Sequence, residues 1–404
     1  MTFEEAKQTI ESQFKPSFLG EEEAVLLEAY NRVLSQDVIS PMDIPAFNTS
    51  CVAGYAVKAA DVINASEDQA ITLTIVDSLN AGENPRIPLK SGEAFEVSTS
   101  AVLPQGADAI IELEDTERQD NTLQVYTPAQ GGDNILKAGF DIKTGQVVLK
   151  KGQVLGSTEI GVLAALGLKY VKVLRIPIIA VLSVSNEVSE LGNTLLPGKS
   201  FDLNGYSIST AIMECGAKPV YFGVAPLNKS EIARIVSTAI SGSDMTIICT
   251  DNTDVAEIVD QLGKPGLVIK GVAIKPGKST AAAFVGAKPV LIFPSNPSAA
   301  IMMYQLFARS QVQRLSGRPI AALRVLSAFA GSKIFSAKGS RTFTPVLLAF
   351  DEQCRLIAEP IETNGAVSTL AAADGFVEIA ENEQIIEADQ EVAVLLLRGL
   401  ATRT

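Results

Sequence analysis

The apolar run "IPIIAVLSVS" at residues 176–185 begins the part of the chain that decides the fold. After it, stretches with a helical spacing of apolar residues alternate with short apolar runs: "YSISTAIMECG" (206–216), "KPVYFGV" (218–224), "SEIARIVSTAIS" (230–241), "DMTIICT" (244–250), "DVAEIVDQLG" (254–263), "KPVLIFP" (288–294) and "SAAIMMYQLFARSQVQRL" (298–315). Short strands that alternate with helices of about 10–15 residues indicate βαβ units and a mainly parallel sheet. We therefore predict an α/β domain over residues 171–316.

Polar segments follow three of these predicted strands. They are "SNEVSELG" (185–192), "TDNTDVAE" (250–257) and "PSNPSAA" (294–300). Ligands of open α/β sheets bind outside the carboxyl ends of the strands. The sequence therefore predicts a binding site built from these three segments.

The rest of the chain has a different texture. Residues 3–35 have helical spacing, and a hairpin-like pair around Gly145 and Gly152 precedes a helix that starts near Ser157. Short β-patterned runs fill residues 40–135, and the segment after 316 is again β-patterned. We predict four domains: a discontinuous helical and β domain (1–39 with 136–170), a β-rich insert (40–135), the α/β domain (171–316) and a C-terminal β domain (317–404).

Composition excludes several classes of function. The 404-residue chain carries a formal net charge of −13, which disfavours nucleic acid and anionic membrane surfaces as partners. It contains no histidine, so mechanisms that need an imidazole are excluded. Its four cysteines lie far apart, which argues against a zinc site or a disulfide framework and fits a reducing compartment.

The ends of the chain and its apolar runs bear on localisation. No stretch of about 18 or more uncharged apolar residues occurs, so no membrane span is predicted. The first residues, "MTFEEAKQTIESQF", are acidic and helix-patterned, unlike a secretory signal. We predict a cytoplasmic protein.

The order of the domains and several local strings resemble the molybdopterin molybdenumtransferases, the MoeA family that includes the C-terminal part of gephyrin. The resemblance covers essentially the whole chain and rests on these stretches: "SPMDIPAFNTSCVAGYAVKAAD" (40–61), "VSTSAVLPQGADAIIELED" (97–115), "LKAGFDIKTGQVVLKKGQVLGSTEIGVLAALGL" (136–168), "IKPGKS" (274–279), "FPSNPSAA" (293–300) and "NGAVSTLAAADGFVEI" (364–379).

The resemblance implies an α/β multidomain fold. Its central, mainly parallel α/β domain is molybdopterin-binding-like, and around it stand a β-rich insert domain, a small α+β dimerisation domain and a C-terminal all-β domain. It also implies an elongated homodimer that uses Mg²⁺ and inserts molybdenum from molybdate into adenylated molybdopterin, releasing AMP.

Matching the family's strings residue by residue gives candidate site residues. The catalytic candidates are Asp141, Glu187, Lys275 and Lys278. The candidates for binding molybdopterin or its adenine nucleotide are Ser50, Thr99, Thr250, Asp254, Ser295 and Asn296. The two lysines flank a Pro-Gly turn, an arrangement that suits phosphate or molybdate oxygens, although a solvated loop is the simpler structural role.

Two family strings are altered here. Ala53 stands where the family has an aspartate before Gly-Tyr-Ala-Val, and alanine can neither ligate a metal nor act as a base. The family's Ser-Gly-Gly-Val-Ser-Val-Gly-Glu loop aligns with residues 250–257, where Asp251 and Asn252 replace the glycines. Asp254 and Glu257 are candidate Mg²⁺ ligands. The competing structural role for Asp254 is to cap the following helix. N-capping is likewise the structural role that we expect for Asp202 and Asn204.

Three interpretations follow from these residues. The chain is an active molybdenumtransferase with an altered site, a degenerate paralogue that binds a pterin or nucleotide, or a dimeric scaffold with a peptide partner. Gephyrin's related domain binds receptor peptides, and the corresponding place would be the groove between the α/β and C-terminal domains. We take the family function as the assignment and keep the other two as alternatives.

Overall fold

A computed structural model of the chain describes residues 1–16, 19–320, 323–336, 338–361 and 366–397. Its contacts divide the chain into two compact units. Unit 1 contains Met1–Glu23, Asn31–Ser35 and Lys172–Thr404, and unit 2 contains Ala24–Tyr30 and Gln36–Val171. None of the helices within the described residues is long and apolar enough to cross a membrane.

The helices of the described residues are distributed over both units. They are α1 (Phe3–Gln13), α2 (Ala59–Val62), α3 (Ser157–Ala165), α4 (Asn204–Glu214), α5 (Lys229–Ser241), α6 (Asp254–Gln261), α7 (Pro297–Met303), α8 (Arg309–Leu315) and α9 (Ala366–Ala372). A π-helical segment, Tyr304–Ala308, joins α7 to α8, and short 3₁₀ turns cover Leu26–Ala29 and Leu113–Asp115.

The strands fall into an N-terminal, a central and a C-terminal group. The first group is β1 (Glu21–Val25), β2 (Val38–Ile39), β3 (Thr49–Ser50), β4 (Gly54–Val57), β5 (Ile71–Leu79), β6 (Glu93–Val97), β7 (Ala109–Glu112), β8 (Thr116–Gln119), β9 (Thr122–Val125), β10 (Ile135–Leu136), β11 (Val147–Leu149) and β12 (Tyr170–Leu174). The second is β13 (Ile178–Val184), β14 (Val188–Ser189), β15 (Ser200–Phe201), β16 (Lys218–Ala225), β17 (Met245–Cys249), β18 (Pro265–Lys270), β19 (Ile274–Lys275), β20 (Ala281–Val285) and β21 (Lys288–Phe293). The third is β22 (Val325–Ala330), β23 (Ile334–Phe335), β24 (Arg341–Phe350), β25 (Leu356–Pro360), β26 (Gly375–Ile379), β27 (Ile385–Ile386) and β28 (Glu391–Leu396).

The central sheet of unit 1 confirms the predicted α/β domain. Its strand order is β16-β13-β17-β21-β20-β18, and the first four strands are parallel. The antiparallel strands β20 and β18 extend one edge and were not predicted. Both faces of the sheet are covered, because α5 and α6 pack with one buried cluster and α4, α7 and α8 with another.

The C-terminal β region of unit 1 forms a closed sheet. Strands β24, β25, β22, β28 and β26 pair in that order, and a further pairing of β24 with β26 closes the ring. The short strand β19, which belongs to the α/β part of the chain, pairs in parallel with β24 and brings Lys275 opposite Thr342. The predicted β tail is thus confirmed over the described residues, while 398–404 lie outside them.

The prediction of one helix over residues 3–35 is wrong beyond its first third. Helix α1 ends at Gln13, and β1 and a 3₁₀ turn follow. Pro16 cannot continue an α-helix because it lacks a backbone N–H, and Gly20 has a φ of +102°. The buried side chains of α1 pack with unit 1, where the Phe3 ring lies 5.5 Å from that of Phe307.

Unit 2 is built on a mixed sheet with the order β7-β4-β6-β5-β9-β8, which confirms a β-rich region within residues 40–135. The hairpin predicted around Gly145 and Gly152 is wrong. Strand β11 lies between these glycines and pairs with the distant strand β2. Both glycines have positive φ and form turns, but no second strand lies between Gly152 and the start of α3. Helix α3 starts at Ser157, as predicted.

Candidate functional site

Thr250 holds together the carboxyl ends of three parallel strands in unit 1. Its hydroxyl donates to the carbonyl of Val184 at 2.9 Å, at the end of β13. Its N–H donates to the carbonyl of Phe293 at 2.9 Å, at the end of β21. Thr250 is 3% exposed and follows β17 directly. In this structure the candidate binding residue therefore joins the strand ends through its hydrogen bonds.

The segment after Thr250 forms a compact turn rather than an open phosphate loop. The backbone N–H of Asn252 donates to the Thr250 hydroxyl at 3.0 Å, and the side-chain oxygen Oδ1 of Asn252 accepts from the Asp254 N–H at 2.7 Å. The N-cap residue of α6 is Thr253, and Asp254 is the first helical residue, so the predicted capping role of Asp254 is wrong. The Asn252 side chain therefore accepts the hydrogen bond from the backbone N–H of Asp254 at the start of α6.

Asp251 connects this turn to the next strand end. Its carboxylate accepts from the Ser295 N–H at 3.3 Å and also from the Ser295 hydroxyl. The carbonyl of Ser295 accepts from the side-chain amide of Asn204 at 2.7 Å. The segments after β17 and β21 and the start of α4 are therefore joined, as expected for neighbouring strand ends. Asn204 is a helical residue, which corrects its predicted role as a cap.

Asn296 is the N-cap of α7. Its side-chain oxygen accepts from the Ala299 N–H at 3.2 Å and from the Ser298 hydroxyl at 2.8 Å, and Pro297 occupies the first helical position. Asn is among the best N-cap residues, and Pro is favoured at the next position because its missing N–H would have had no helical partner. The altered Pro-Ser-Asn-Pro turn thus still starts the helix.

Lys275 lies in a cavity of about 330 Å³ in unit 1. The cavity is lined by groups from both sides of the β19–β24 pairing, namely Lys275, Pro276, Asn296, Ser298, Phe335, Thr342, Phe343, Thr344, Pro345, Ile361, Thr369 and Phe376. These lining residues include one cation, several hydroxyls and no carboxylate. Within the described residues, no acidic side chain forms an ion pair with Lys275. The cavity therefore has the chemistry of a site for an oxyanion; below it is called the lysine cavity.

The structure separates the two lysines that the sequence placed together. Both lysines are exposed, but Lys278 is not among the residues that line the lysine cavity. Its carbonyl accepts from the Val272 N–H at 3.1 Å, so its backbone closes the turn that follows β19. The peptide bond between Lys275 and Pro276 is cis.

Asp202 organises a buried polar network that sequence patterns only partly indicated. Its carboxylate accepts from the Ser183 hydroxyl at 3.0 Å, the Gly205 N–H at 3.1 Å and the Tyr221 hydroxyl at 2.7 Å. The N-cap residue of α4 is Leu203, so the predicted N-cap position of Asp202 is wrong by one residue, although its carboxylate does accept an N–H of the first turn. Burial, followed by the hydrogen bond to Asp202, raises the pKa of Tyr221 far above that of a free tyrosine. No motif pointed to Tyr221, because it reaches Asp202 from the edge strand β16.

Glu187, Asp254 and Glu257 remain candidate residues of unit 1 with solvent-facing side chains. Glu187 is exposed, and its backbone N–H donates to the Ser185 hydroxyl at 3.0 Å. Asp254 pairs with Lys229 at 3.2 Å, and both side chains are substantially exposed. Within the described residues, no three acidic or thiol side chains are grouped as a metal site would require.

Asp254 and Glu257 supply part of what a Mg²⁺ site needs. Mg²⁺ is commonly held by one or two carboxylates together with phosphate oxygens of the ligand. Asp254 and Glu257 stand one helical turn apart on α6, and exposed ion pairs such as Asp254–Lys229 contribute little free energy. The two carboxylates therefore fit an ion that arrives with phosphates, and do not form a site by themselves.

The remaining candidates lie in unit 2. Ser50 is 2% exposed and its hydroxyl donates to the carbonyl of Val52, so it shapes the loop rather than facing solvent. Thr99 and Asp141 are exposed. Ala53 borders a cavity of about 270 Å³ to which Glu96 contributes a carboxylate. That carboxylate lies 2.7 Å from Arg118.

Comparison with known proteins identifies the family. Three family models match successive parts of the chain: the MoeA N-terminal region (domain I and II) at residues 1–167, a probable molybdopterin binding domain at 180–314, and the MoeA C-terminal region (domain IV) at 327–397. A molybdopterin molybdenumtransferase of Nostoc sp. is 31% identical over 301 residues, which are 72% of this chain and 69% of that protein. The chain belongs to the molybdopterin molybdenumtransferase family.

Other members of the family agree with this assignment. A molybdopterin molybdenumtransferase of Staphylococcus aureus is 30% identical over 72% of this chain and 71% of its own. The crystal structure of a molybdopterin biosynthesis MoeA protein from Pyrococcus horikoshii covers 99% of this chain and 100% of its own, with 36% identity and a TM-score of 0.89. The predicted family and the multidomain α/β fold are both confirmed.

Proposed function

We propose that this member of a family acting in molybdenum cofactor biosynthesis inserts molybdenum from molybdate into adenylated molybdopterin. In this reaction molybdate binds the two dithiolene sulfurs and loses an oxide, which leaves as water with the two thiol protons. Water hydrolyses the phosphoanhydride, which releases AMP and leaves a monophosphate on molybdopterin. The observation that carries the proposal is the lysine cavity. It brings Lys275 and Asn296, candidates from separate segments, to one cavity with hydroxyl groups and without a carboxylate among its lining residues.

The lysine cavity suits molybdate because of its charge and its donors. The whole chain carries a net charge of −13, so a dianion will bind where a local cation outweighs the surrounding field. Lys275 supplies that cation, and the side-chain NH2 of Asn296 can donate to an oxyanion. The backbone pairing of β19 with β24 fixes the start of the Lys275 side chain relative to Thr342.

The strand-end segments are proposed to bind the phosphate part of the ligand. The turn at residues 250–254 offers carboxylates rather than glycine amides, so a phosphate would approach it together with Mg²⁺. Asp254 and Glu257 would then contribute the protein oxygens. Mg²⁺ would neutralise phosphate charge, while Asp251 and Asn252 keep the turn and Ser295 in place.

Three further features belong to the proposal. We propose a homodimer in which the loops of unit 2 that carry Ser50, Thr99 and Asp141 face the substrate, Ser50 by shaping its loop, and we propose the four domain boundaries given above. We also propose a cytoplasmic location, since all four cysteines of the chain are free. The peptide partner stays a prediction, and it belongs to the alternative in which the chain is a dimeric scaffold.

The direct test is release of AMP from adenylated molybdopterin by the purified protein with Mg²⁺, with and without molybdate. We expect molybdate to accelerate the release, and Lys275→Ala to weaken the molybdate dependence. Lys218→Ala is the matched control, because Lys218 is exposed at the first residue of β16, an edge strand of the central sheet, and does not line the lysine cavity. Equal rates of AMP release with and without molybdate would contradict the proposed function.

A further inference from the structure

We propose that a second cavity of unit 1 binds the planar nitrogen heterocycle of the ligand, a purine or a pterin. This inference rests on the proposed function, because it assigns a part of the same substrate. The cavity has a volume of about 860 Å³ and lies where the segment around β15 meets α4 and the start of α7. Small-molecule sites commonly occupy about 300–1,000 Å³ and combine apolar walls with a few polar groups. Below it is called the aromatic cavity.

Two aromatic side chains form walls of the aromatic cavity. Phe201 is 41% exposed and Tyr206 is 44% exposed, although both face a concave surface that also includes Leu203. Such rings bind flat heterocycles by stacking, which works for any base because every base has a π face. Hydroxyl groups of Ser207 and Thr210 also line the cavity and could meet the polar edge of a ring.

The Tyr206 ring is supported from behind. Its centroid lies 5.3 Å from that of Tyr221, with the ring planes tilted by 48°. Tyr221 is in turn held by its 2.7 Å hydrogen bond to Asp202. A ring that is fixed on one face and open on the other loses little freedom when a ligand stacks on it, which favours binding.

The charge of the aromatic cavity favours a neutral ligand group. Asp202 borders it, but both oxygens of its carboxylate accept hydrogen bonds from the protein. Asp202 is 3% exposed, so it is not available as a partner for a ligand cation. A neutral purine or pterin meets no charge penalty here, whereas a phosphate or molybdate would lie next to a carboxylate.

The start of α7 separates the aromatic cavity from the lysine cavity. Pro297 lines the aromatic cavity, whereas its neighbours Asn296 and Ser298 line the lysine cavity. A ligand that carries a heterocycle and an oxyanion group can therefore cross this one segment and place each group in the cavity that matches it. Adenylated molybdopterin carries two such heterocycles, adenine and the pterin.

Fluorescence provides a test that does not require turnover. The chain contains no tryptophan, so 2-aminopurine ribonucleoside 5′-monophosphate can be excited without a protein background. We expect its fluorescence to be quenched by stacking, and AMP to compete roughly tenfold better than ribose 5-phosphate, which lacks the base. Phe201→Ala and the milder Tyr206→Leu should each weaken AMP roughly tenfold and leave ribose 5-phosphate unchanged. Phe350→Ala is the control, since Phe350 is 68% exposed at the end of β24 and lines neither cavity.

The outcomes separate this inference from the proposed function. Neopterin serves as the pterin probe, and competition by AMP or by neopterin identifies which heterocycle occupies the cavity. Absence of quenching, or equal affinities of wild type and both variants for AMP and neopterin, overturns the inference even if molybdate-dependent AMP release is intact. Quenching that depends on Phe201 without any AMP release supports the heterocycle site and refutes the proposed function instead.

Discussion

Replacing Asn296 with aspartate would add one negative charge beside the lysine cavity while keeping the start of α7. The side-chain oxygen of Asn296 accepts from the Ala299 N–H and the Ser298 hydroxyl, and an aspartate carboxylate can accept both bonds. Asn and Asp are about equally good N-caps. The change should therefore weaken anion binding without unfolding the helix.

The size of the effect follows from the size of the cavity. A volume of about 330 Å³ corresponds to a sphere of about 4 Å radius, so an anion at its centre lies about 6 Å from a carboxylate in its wall. For a dianion at that distance, Coulomb's law gives about 1.4 kcal/mol of repulsion even at a dielectric constant of about 80. We expect a loss of roughly tenfold in molybdate affinity, smaller at high salt.

Isothermal titration of molybdate into Asn296→Asp, Asn296→Ala and wild type is the assay. Asn228→Asp is the matched control, because Asn228 caps α5 with bonds to the Glu231 N–H and the Ser230 hydroxyl and lines neither cavity. Asn296→Ala should instead lose about 1 kcal/mol of stability through the missing cap. If Asn296→Asp and Asn228→Asp bind molybdate equally well, the lysine cavity is not the molybdate site.

The remaining predictions concern the lysine, the altered loops and the thiols. Lys275→Ala should weaken molybdate by roughly ten- to a hundredfold, the range for a charge-assisted hydrogen bond, in the same titration, and Lys278→Ala should have a smaller effect. The triple variant Ala53→Asp, Asp251→Gly and Asn252→Gly restores the family residues. It should raise AMP release because the altered loops slow turnover; unchanged release would show that other residues carry the reaction. A thiol reagent should modify the exposed Cys51 and Cys354 in the native protein and leave Cys249 unreacted, because burial, and then nearby carboxylates, raise the pKa of the Cys249 thiol; rapid modification of Cys249 would contradict its burial.

Where the sequence carried a strong period, it predicted the fold well. The alternation after residue 176 gave the parallel core because strands buried on both faces are almost wholly apolar, as β13 and β17 are. The antiparallel strands β18 and β20 were missed because short runs of alanine and glycine such as "AAAFV" have no clear period. Residues 21–25, "EEEAV", were assigned to a helix because apolar residues recur at helical spacing through "AVLLEAYNRVL" (24–34), but the chain leaves α1 before the proline and glycine that precede them.

The candidate site could be predicted only in part. Asn296 and Lys275 were candidates because they match family strings and lie in turns after apolar runs; the structure brings them to one cavity, and their roles stay predictions. Tyr221 and the aromatic cavity could not be found, since they depend on which strand edge faces α4. The sequence predicted that Lys275 and Lys278 bind one anion together. It did not show that the turn between them places only Lys275 in the lysine cavity.

The π-helical segment Tyr304–Ala308 has a consequence for how this chain can vary in length. A π turn accommodates an extra residue within a continuous helix, here running from Pro297 to Leu315. Deleting one residue from the segment would restore ordinary α geometry there and leave the side chains of α8 facing the same way, because the π turn already absorbs the extra residue. Val312 and Leu315, both buried, would keep their places in the core, whereas a deletion elsewhere in this helix would rotate them by about 100°. In evolutionary terms, this segment is the place at which the length of the helix can change by one residue.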